Sequence, residues 1–270
     1  MINQKNLLIP NGGLGDSLQF STLPEEFVRQ KKIKVFIHKN SQFRNKEIFK
    51  LVWKMNPYVT GITKKKSNAG LINEKKYKKK YNVVENAENS NGLKIKNIFP
   101  KIYYKPKKLK LRNFFLIDLS GISIFYTNDE LIKIQKVIKN LQRKYSNCTF
   151  INVRFKKKLS NQKNLSLFNK TKIFIKKKFL TNSILSFGDD KHFHFDINLD
   201  KKIKINSIFE YCDYINSAYG FISLHHGQSH LSSAIKNQYN KKLISYCILQ
   251  KKIYSFHNSE GHGKYLFKNI

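Results

Sequence analysis

Two kinds of apolar pattern take turns along this chain. Short unbroken runs read as buried strands, and stretches in which apolar positions recur every three or four residues read as helices packed by one face. LLIP, residues 7–10, is the first such run. The glycine turn NGGLGDS follows it and leads into a helix expected from about Asp16 to Arg29, kinked at Pro24. Residues 34–38 form the next strand. Across residues 45–55, Ile48, Leu51, Val52 and Met55 share one helical face, and the helix should stop ahead of Pro57. Residues 64–97 are polar and rich in Lys and Asn, as expected of loops with a short strand.

FFLIDLSG, residues 114–121, is a strong buried strand. Thr127 and Glu130 then have the spacing of a capping box, ahead of a helix whose apolar stripe is Leu131, Ile134, Ile138, Leu141 and Tyr145. That helix should end near Asn147, which divides the chain into units of residues 1–147 and 148–270. The second unit opens with a strand at 149–154 and continues with one at 184–187. A second box, Ser207 and Glu210, starts a helix with Ile208, Phe209, Cys212 and Ile215 facing inward. A strand at 221–224, a helix from Ser229 and a last strand at 242–247 complete it. Alternation of this kind implies parallel sheets covered by helices on both sides.

Two turns carry the candidate chemistry. In FISLHHGQSHLSSAI, residues 221–235, an apolar strand passes through a turn centred on Gly227 into a helix whose first turn holds Ser229 and His230. Amides exposed at a helix start, reinforced by the helix dipole, attract a diphosphate, and glycine lets the ligand come close to the chain. The N-terminal turn, with Gly12, Gly13 and Gly15 ahead of Asp16, has a similar design. Two such turns suggest two doubly wound halves facing one cleft.

The 270 residues, 40% of them apolar, suffice for one large domain or two of ordinary size. No run has the length of a membrane span and the N-terminus lacks the form of a signal peptide, so a cytoplasmic location is expected. Cys148, Cys212 and Cys247 are widely spaced, and Cys212 and Cys247 lie in apolar segments, which favours buried thiols over a disulfide or a zinc site. The formal net charge is +35, from 52 basic and 17 acidic residues. Lysine dominates, with only Arg29, Arg44, Arg112, Arg143 and Arg154 as arginines, alongside heavy use of Asn, Ile, Phe and Tyr. Such usage fits the codon bias of an A/T-rich genome. Charge that serves a function would draw nucleic acid, anionic lipid or phosphorylated substrates alike. The lysine runs at 64–66, 75–80, 156–158 and 176–178 are scattered, which argues against a dedicated nucleic-acid surface.

The stretch from Ser207 to Ile235 resembles the heptosyltransferases of lipopolysaccharide synthesis and their relatives in glycosyltransferase family 9. Their turn Asp-Ser/Thr-Gly-x-x-His-Leu is matched here by Gly227, His230 and Leu231, with Ala234 in the helix that follows. GGLGDSLQFSTLP is similar to the family's Gly-Asp turn, through Gly15, Asp16, Leu23 and Pro24 with a slightly longer spacing, and MNPYV at 55–59 echoes a third segment. His225 stands where the family usually has the Asp of its second motif. The resemblance implies an α/β GT-B architecture of two Rossmann-like domains. Residues 1–147 would hold the acceptor and residues 148–270 the nucleotide-sugar donor.

Inverting sugar transfer needs a base for the acceptor hydroxyl and a positive environment for the departing diphosphate. Asp16 is the candidate base; as an alternative it caps its own helix. For the donor the candidates are Gly227, Gln228, Ser229 and His230, with His225 beside them and Arg154 or Lys156 as helpers from the end of an earlier strand. The alternative for HHGQSH is a plain turn whose histidines pack or cap. Three His within six residues invite a metal, but no carboxylate accompanies them and no Asp-x-Asp occurs, so neither metal nor cofactor is expected. His192 and His194 alternate as on a strand and could join a site, although the same alternation suits an edge strand. GLGDSL lacks the third glycine of a dinucleotide fingerprint, having Leu18 there, and the following strand ends in His38 and Lys39 instead of an acidic residue. No P-loop and no GxSxG elbow is present. The expected partners are a nucleotide-sugar and a glycan or lipid-linked acceptor, with peripheral binding to the inner face of an anionic membrane. The rival from another class is a non-catalytic basic binder of nucleic acid or membrane.

Overall fold

The structure of the protein is a computed structural model that describes residues 4–9, 12–66, 78, 81–120, 128–155, 185–187, 193–195, 199, 201–249 and 266–269. The first part of the chain forms β1 (Gln4–Leu7), α1 (Leu14–Gln19), α2 (Leu23–Lys31), β2 (Lys34–His38), α3 (Lys46–Phe49, continuing as a π-helical turn over Lys50–Lys54), β3 (Val59–Thr63) and α4 (Val83–Ser90). Then follow β4 (Phe114–Asp118), α5 (Asn128–Lys144), β5 (Thr149–Phe155), β6 (Leu185–Phe187), β7 (Phe193–Phe195) and β8 (Lys201–Ile205). The last part forms α6 (Ile208–Ser217), β9 (Gly220–Leu224), α7 (Gly227–Gln238), β10 (Ile244–Leu249) and β11 (Leu266–Asn269).

Local chemistry explains where the elements begin. The single kinked helix expected over 16–29 is two helices. Pro24 occupies the first turn of α2, where a missing N–H costs nothing, so it starts a helix instead of bending one. Asn45 caps α3 by accepting the Ile48 amide at 2.8 Å. α4 lies within a segment expected to be loops, and it is built on an Asn82–Glu85 capping box in which each side chain accepts the other's amide, at 2.9 and 2.7 Å. Ser207 caps α6 through the Glu210 amide at 3.1 Å, while the Glu210 carboxylate reaches one residue further back, to the Asn206 amide at 2.7 Å. Thr127, its counterpart ahead of α5, lies outside the described residues.

β1, β2 and β3 make a three-stranded parallel sheet. The second sheet is parallel throughout, in the order β11-β10-β9-β4-β5-β8. Numbered by appearance within that sheet this is 6-5-4-1-2-3, the strand order of the doubly wound dinucleotide-binding fold, and the order reverses between β4 and β9. Because β4 is the founding strand of the larger sheet, the two sheets divide between Thr63 and Phe114, and the expected boundary at 147 falls inside the second sheet. β6 and β7 form a separate antiparallel pair that carries His194; His192 is outside the described residues.

The period of two along the central strands separates two cores. Phe114 and Leu116 on β4 join Phe221 on β9, α6, α7 and the whole N-terminal sheet in one cluster. Phe115, Ile117 and Leu119 pack with Ile222, Leu224 and the inner face of α5 in the other. Gly220 is required at its place, since a Cβ there would stand 2.0 Å from the Phe115 ring, which stacks on Phe150. Cys212 and Cys247 are buried, Cys148 is half-buried, and all three are free thiols. No described helix is long and apolar enough to cross a membrane.

Residues 101–109 run as a strap across α6 and α7 and tie the halves together. Gln238 exchanges two hydrogen bonds with the backbone of Ile102. Asp213 accepts from the Tyr104 hydroxyl and the Lys107 amide, both at 2.8 Å. At the strap's start, Glu25 accepts from Lys101, Tyr103 and Arg29, each at 2.8 Å or closely so. Burial pushes the Glu25 carboxyl up, but these three partners more than offset it and hold the group below its ordinary value. Its contribution to stability is therefore complete above the unfolded carboxylate pKa and is lost as pH falls through the lowered folded value. Thermal unfolding followed from pH 7 down to about pH 3 should decline less steeply for Glu25→Gln than for the wild type, the two curves converging at the acid end.

Candidate functional site

The site grows from the C-terminal ends of the parallel strands, at the point where their order reverses. β9 ends at Leu224, and the chain turns through His225 and His226 into α7. The His225 amide donates to the Ile248 carbonyl at 3.2 Å, so the turn is pinned to β10 before the helix starts. α7 begins at Gly227, two residues earlier than its apolar pattern indicates, because His226 is an extended N-cap that leaves the helix start open, with no side-chain cap bond. The Ser229 amide and hydroxyl both donate to the His226 carbonyl, at 3.0 and 2.7 Å, and Ser229 is buried. Its hydroxyl is thus committed inward. The donors suited to an anion are the backbone amides of Gly227 and Gln228, which lie too early in the helix to have an intrahelical carbonyl acceptor.

The N-terminal glycine turn comes directly against this helix start. A Cβ on Gly15 would stand 3.2 Å from the Gly227 Cα and 3.4 Å from the His230 ring, and one on Gly227 would stand 2.7 Å from the Gly15 nitrogen. α1 and α7 therefore meet backbone to backbone at their N-termini. Neither glycine has a positive φ, so clearance, not backbone freedom, is what fixes these residues. Gly12 serves a parallel purpose, since a Cβ there would lie 1.6 Å from the Gln42 carbonyl, and the Arg44 amide donates to the Gly12 carbonyl at 2.9 Å. That bond brings the segment after β2 under the turn. Gly13 is the N-cap of α1, and Asp16 sits in the first helical turn, not at the cap. The Asp16 carboxylate and the Arg44 guanidinium both come close over Gly13, 2.6 and 3.6 Å from where its Cβ would be. Asp16 is half-buried, at the junction of the two helix starts.

His225 and His230 are both buried, their ring centroids 6.0 Å apart. Among the described residues no group of three His, Cys, Asp or Glu is placed to hold a metal ion. Across the strand reversal, the Gln228 side chain donates to the Ser120 carbonyl and hydroxyl at 3.0 and 3.1 Å. Ser120 in turn donates its amide and hydroxyl to Asp118, at 3.0 and 2.5 Å. Arg154 lies near the end of β5, one strand further from β9, and Lys156 lies outside the described residues. The sequence-predicted residues Gly12, Gly13, Gly15, Asp16, Gly227, Gln228 and His230 are thus brought together. Arg154 is on β5, separated from β9 by β4, and the Ser229 hydroxyl is bonded to the His226 carbonyl. Arg44, Asp118 and Ser120 went unnoticed in the sequence; a carboxylate followed by Ser-Gly at the end of the most buried strand, IDLSG, was the available signal for two of them.

No protein-family model matches the sequence, and no curated protein matches it. Solved structures do share its fold. The heptosyltransferase TibC of enterotoxigenic E. coli, solved in complex with ADP-D-β-D-heptose, superposes with a TM-score of 0.59 at 12% identity, over 99% of this chain and 61% of TibC. The chain thus spans about three-fifths of that relative's length. A glycosyltransferase family 9 protein from Veillonella parvula gives 0.57 at 8% identity, covering 99% of this chain and 85% of the other. E. coli ADP-heptose lipopolysaccharide heptosyltransferase II gives 0.54 at 6%, over 98% and 90%. The α/β fold of parallel sheets built here is therefore that of family 9 heptosyltransferases, formed by a sequence 6–12% identical to theirs.

Gly227→Ala would drive a methyl group into the Gly15 backbone and force the two helix starts apart. Overpacking of this kind costs roughly 1–3 kcal/mol, and the thermal unfolding midpoint should fall by several degrees. Ala at Gly92, where a Cβ meets nothing within 4 Å, has no neighbour to displace and only the positive φ of 68° to contend with.

Proposed function

We propose that this protein is a glycosyltransferase of the GT-B type that moves a sugar from a nucleoside-diphosphate donor to a glycan or lipid-linked acceptor, with inversion and without a metal. The observation that carries the reading is the meeting of two glycine turns at the strand reversal, which sets a carboxylate on α1 beside the open amides of α7. In this reading the diphosphate rests on the Gly227 and Gln228 amides, where the helix dipole favours the negative charge released as the glycosidic bond to phosphate breaks. Asp16 accepts the proton of the acceptor hydroxyl as its oxygen attacks the anomeric carbon from the opposite side, which inverts that centre. The ADP-heptose bound by TibC makes an adenosine diphosphate sugar the first donor to try.

The halves on either side of the junction supply the acceptor and donor walls, and the large positive charge draws phosphorylated or membrane-borne acceptors toward the cytoplasmic site. A basic binder with no catalysis is the competing outcome, and nucleotide binding separates the two. ADP, GDP or UDP at about 100 times its dissociation constant should add about 2.7 kcal/mol to stability and raise the unfolding midpoint; salt-sensitive binding to RNA or vesicles with no response to any nucleotide would refute the transferase reading. Asp16→Asn should lower turnover by roughly 10²–10⁴-fold while leaving the nucleotide-induced shift in place. Transfer at the wild-type rate by that variant removes Asp16 from the reaction.

A further inference from the structure

Asp118 is 1% exposed at the end of β4, beneath the point where the strand order reverses. A carboxyl so deep needs donors, and it has three. The Tyr211 hydroxyl of α6 reaches one oxygen at 2.6 Å, and the amide and hydroxyl of Ser120 reach the other at 3.0 and 2.5 Å. Tyr211 is itself fully buried, and burial, with Asp118 beside it, raises its pKa well above the ordinary value, so it stays a donor. Ser120, with its hydroxyl proton given to Asp118, has lone pairs left on that oxygen and on its carbonyl. Both accept from the Gln228 amide nitrogen. A chain of hydrogen bonds thus runs from α6 through the buried carboxyl and the loop after β4 to the first turn of α7, whose backbone amides are the proposed diphosphate donors.

We propose that Gln228 is a positioning residue. Its side chain, clamped by Ser120, fixes the first turn of α7 against the loop after β4, and the Asp118–Tyr211 pair sets where Ser120 can stand. Gln228 touches no reacting atom; it acts through the orientation of its own amide and that of Gly227. The side chain suits the task because it supplies one donor nitrogen to two acceptors on a single residue, whereas an apolar side chain of equal length would fill the space and leave the turn free to rotate. The sequence gives this position no motif: only the strand reversal, which brings residue 228 over residue 120, makes the assignment.

The inference rests on the diphosphate reading, and the test separates the two. Dissociation constants for ADP and AMP would be measured by calorimetry on wild type, Gln228→Met, Ser120→Ala and the double variant, with unfolding midpoints of the unliganded proteins as a control for folding. AMP lacks the second phosphate, so general damage weakens both ligands and a misplaced turn weakens ADP selectively. Gln228→Met should weaken ADP by about 5–10-fold, the value of one net hydrogen bond, with AMP changed far less. The double variant should lose no more than the worse single variant, because both break the same clamp. Gln228→Met with wild-type affinity for ADP, an equal loss for ADP and AMP, or fully additive losses in the double variant would each overturn the positioning role. Failure of the wild type to bind ADP, GDP or UDP at all overturns the diphosphate reading and takes this inference with it.

Discussion

Two helices that start against each other are the constraint on which the rest of this molecule depends. α1 and α7 belong to different sheets, yet the Gly15 and Gly227 backbones approach so closely that neither residue could carry a methyl group without displacing the other. Helix N-termini carry partial positive charge and unsatisfied amides, so bringing two together is unfavourable unless something negative shares the space. Asp16, in the first turn of α1, supplies part of that charge within the protein. The same logic makes the junction receptive to an anionic ligand. What holds the unfavourable approach in place is packing elsewhere: a single apolar cluster runs from the N-terminal sheet to α6 and α7, and the strap at 101–109 is hydrogen-bonded along both helices.

The polar interior shows how the strap and its surroundings are made rigid. Glu88 is buried, and desolvation raises its pKa despite bonds from Thr22, Lys96 and Asn97. A carboxyl placed so deep specifies one arrangement of α2, α4 and the segment after it, since every one of its donors would otherwise be orphaned. Glu47 does similar work across the halves by accepting the Ile208 amide at the start of α6, at 2.9 Å. The halves are therefore joined by directional bonds as well as by apolar area.

Four strands of the larger sheet were legible because they are short, unbroken apolar runs; its edge strands β8, lysine-rich and alternating, and β11 carry no such run and were not foreseen. FFLID, GFISL and the run at 244–249 need no context to read as buried strands, and the Ser207 cap and the Gly227 turn announced the helices between them. α4 was hidden because its helix rests on Asn82 and Glu85 within a stretch dominated by lysine and asparagine, where composition outweighs two capping residues. The place of β4 could not be read either. Sequence proximity joins it to the N-terminal half, whereas its pairing with β9, more than a hundred residues later, is a property of the sheet. Misplacing β4 also concealed Asp118 and Ser120, since a strand end gains functional meaning only when the strand beside it is known. Ser229 shows a different limit: its hydroxyl donates to the His226 carbonyl three residues back, a local bond that the motif does not reveal.

A carboxyl close to the proposed anion site works against it by charge, and the arrangement around Asp118 answers that objection. Asp118 accepts from Tyr211 on one oxygen and twice from Ser120 on the other, and Ser120 in turn accepts from the Gln228 side chain, so Ser120 links the carboxyl to the first turn of α7. In the proposed reading, the charge that an approaching diphosphate meets is set by α7 and by the wider chain. That chain is overwhelmingly basic, at +35 over its whole length. Long-range attraction of this kind gathers phosphorylated molecules without selecting among them, and salt screens it beyond about 10 Å. Under the proposed function selection is left to what general charge cannot supply, the fixed directions of two amides, and the hydrogen bonds that orient the first turn of α7 then matter more to the site than any one of the lysines.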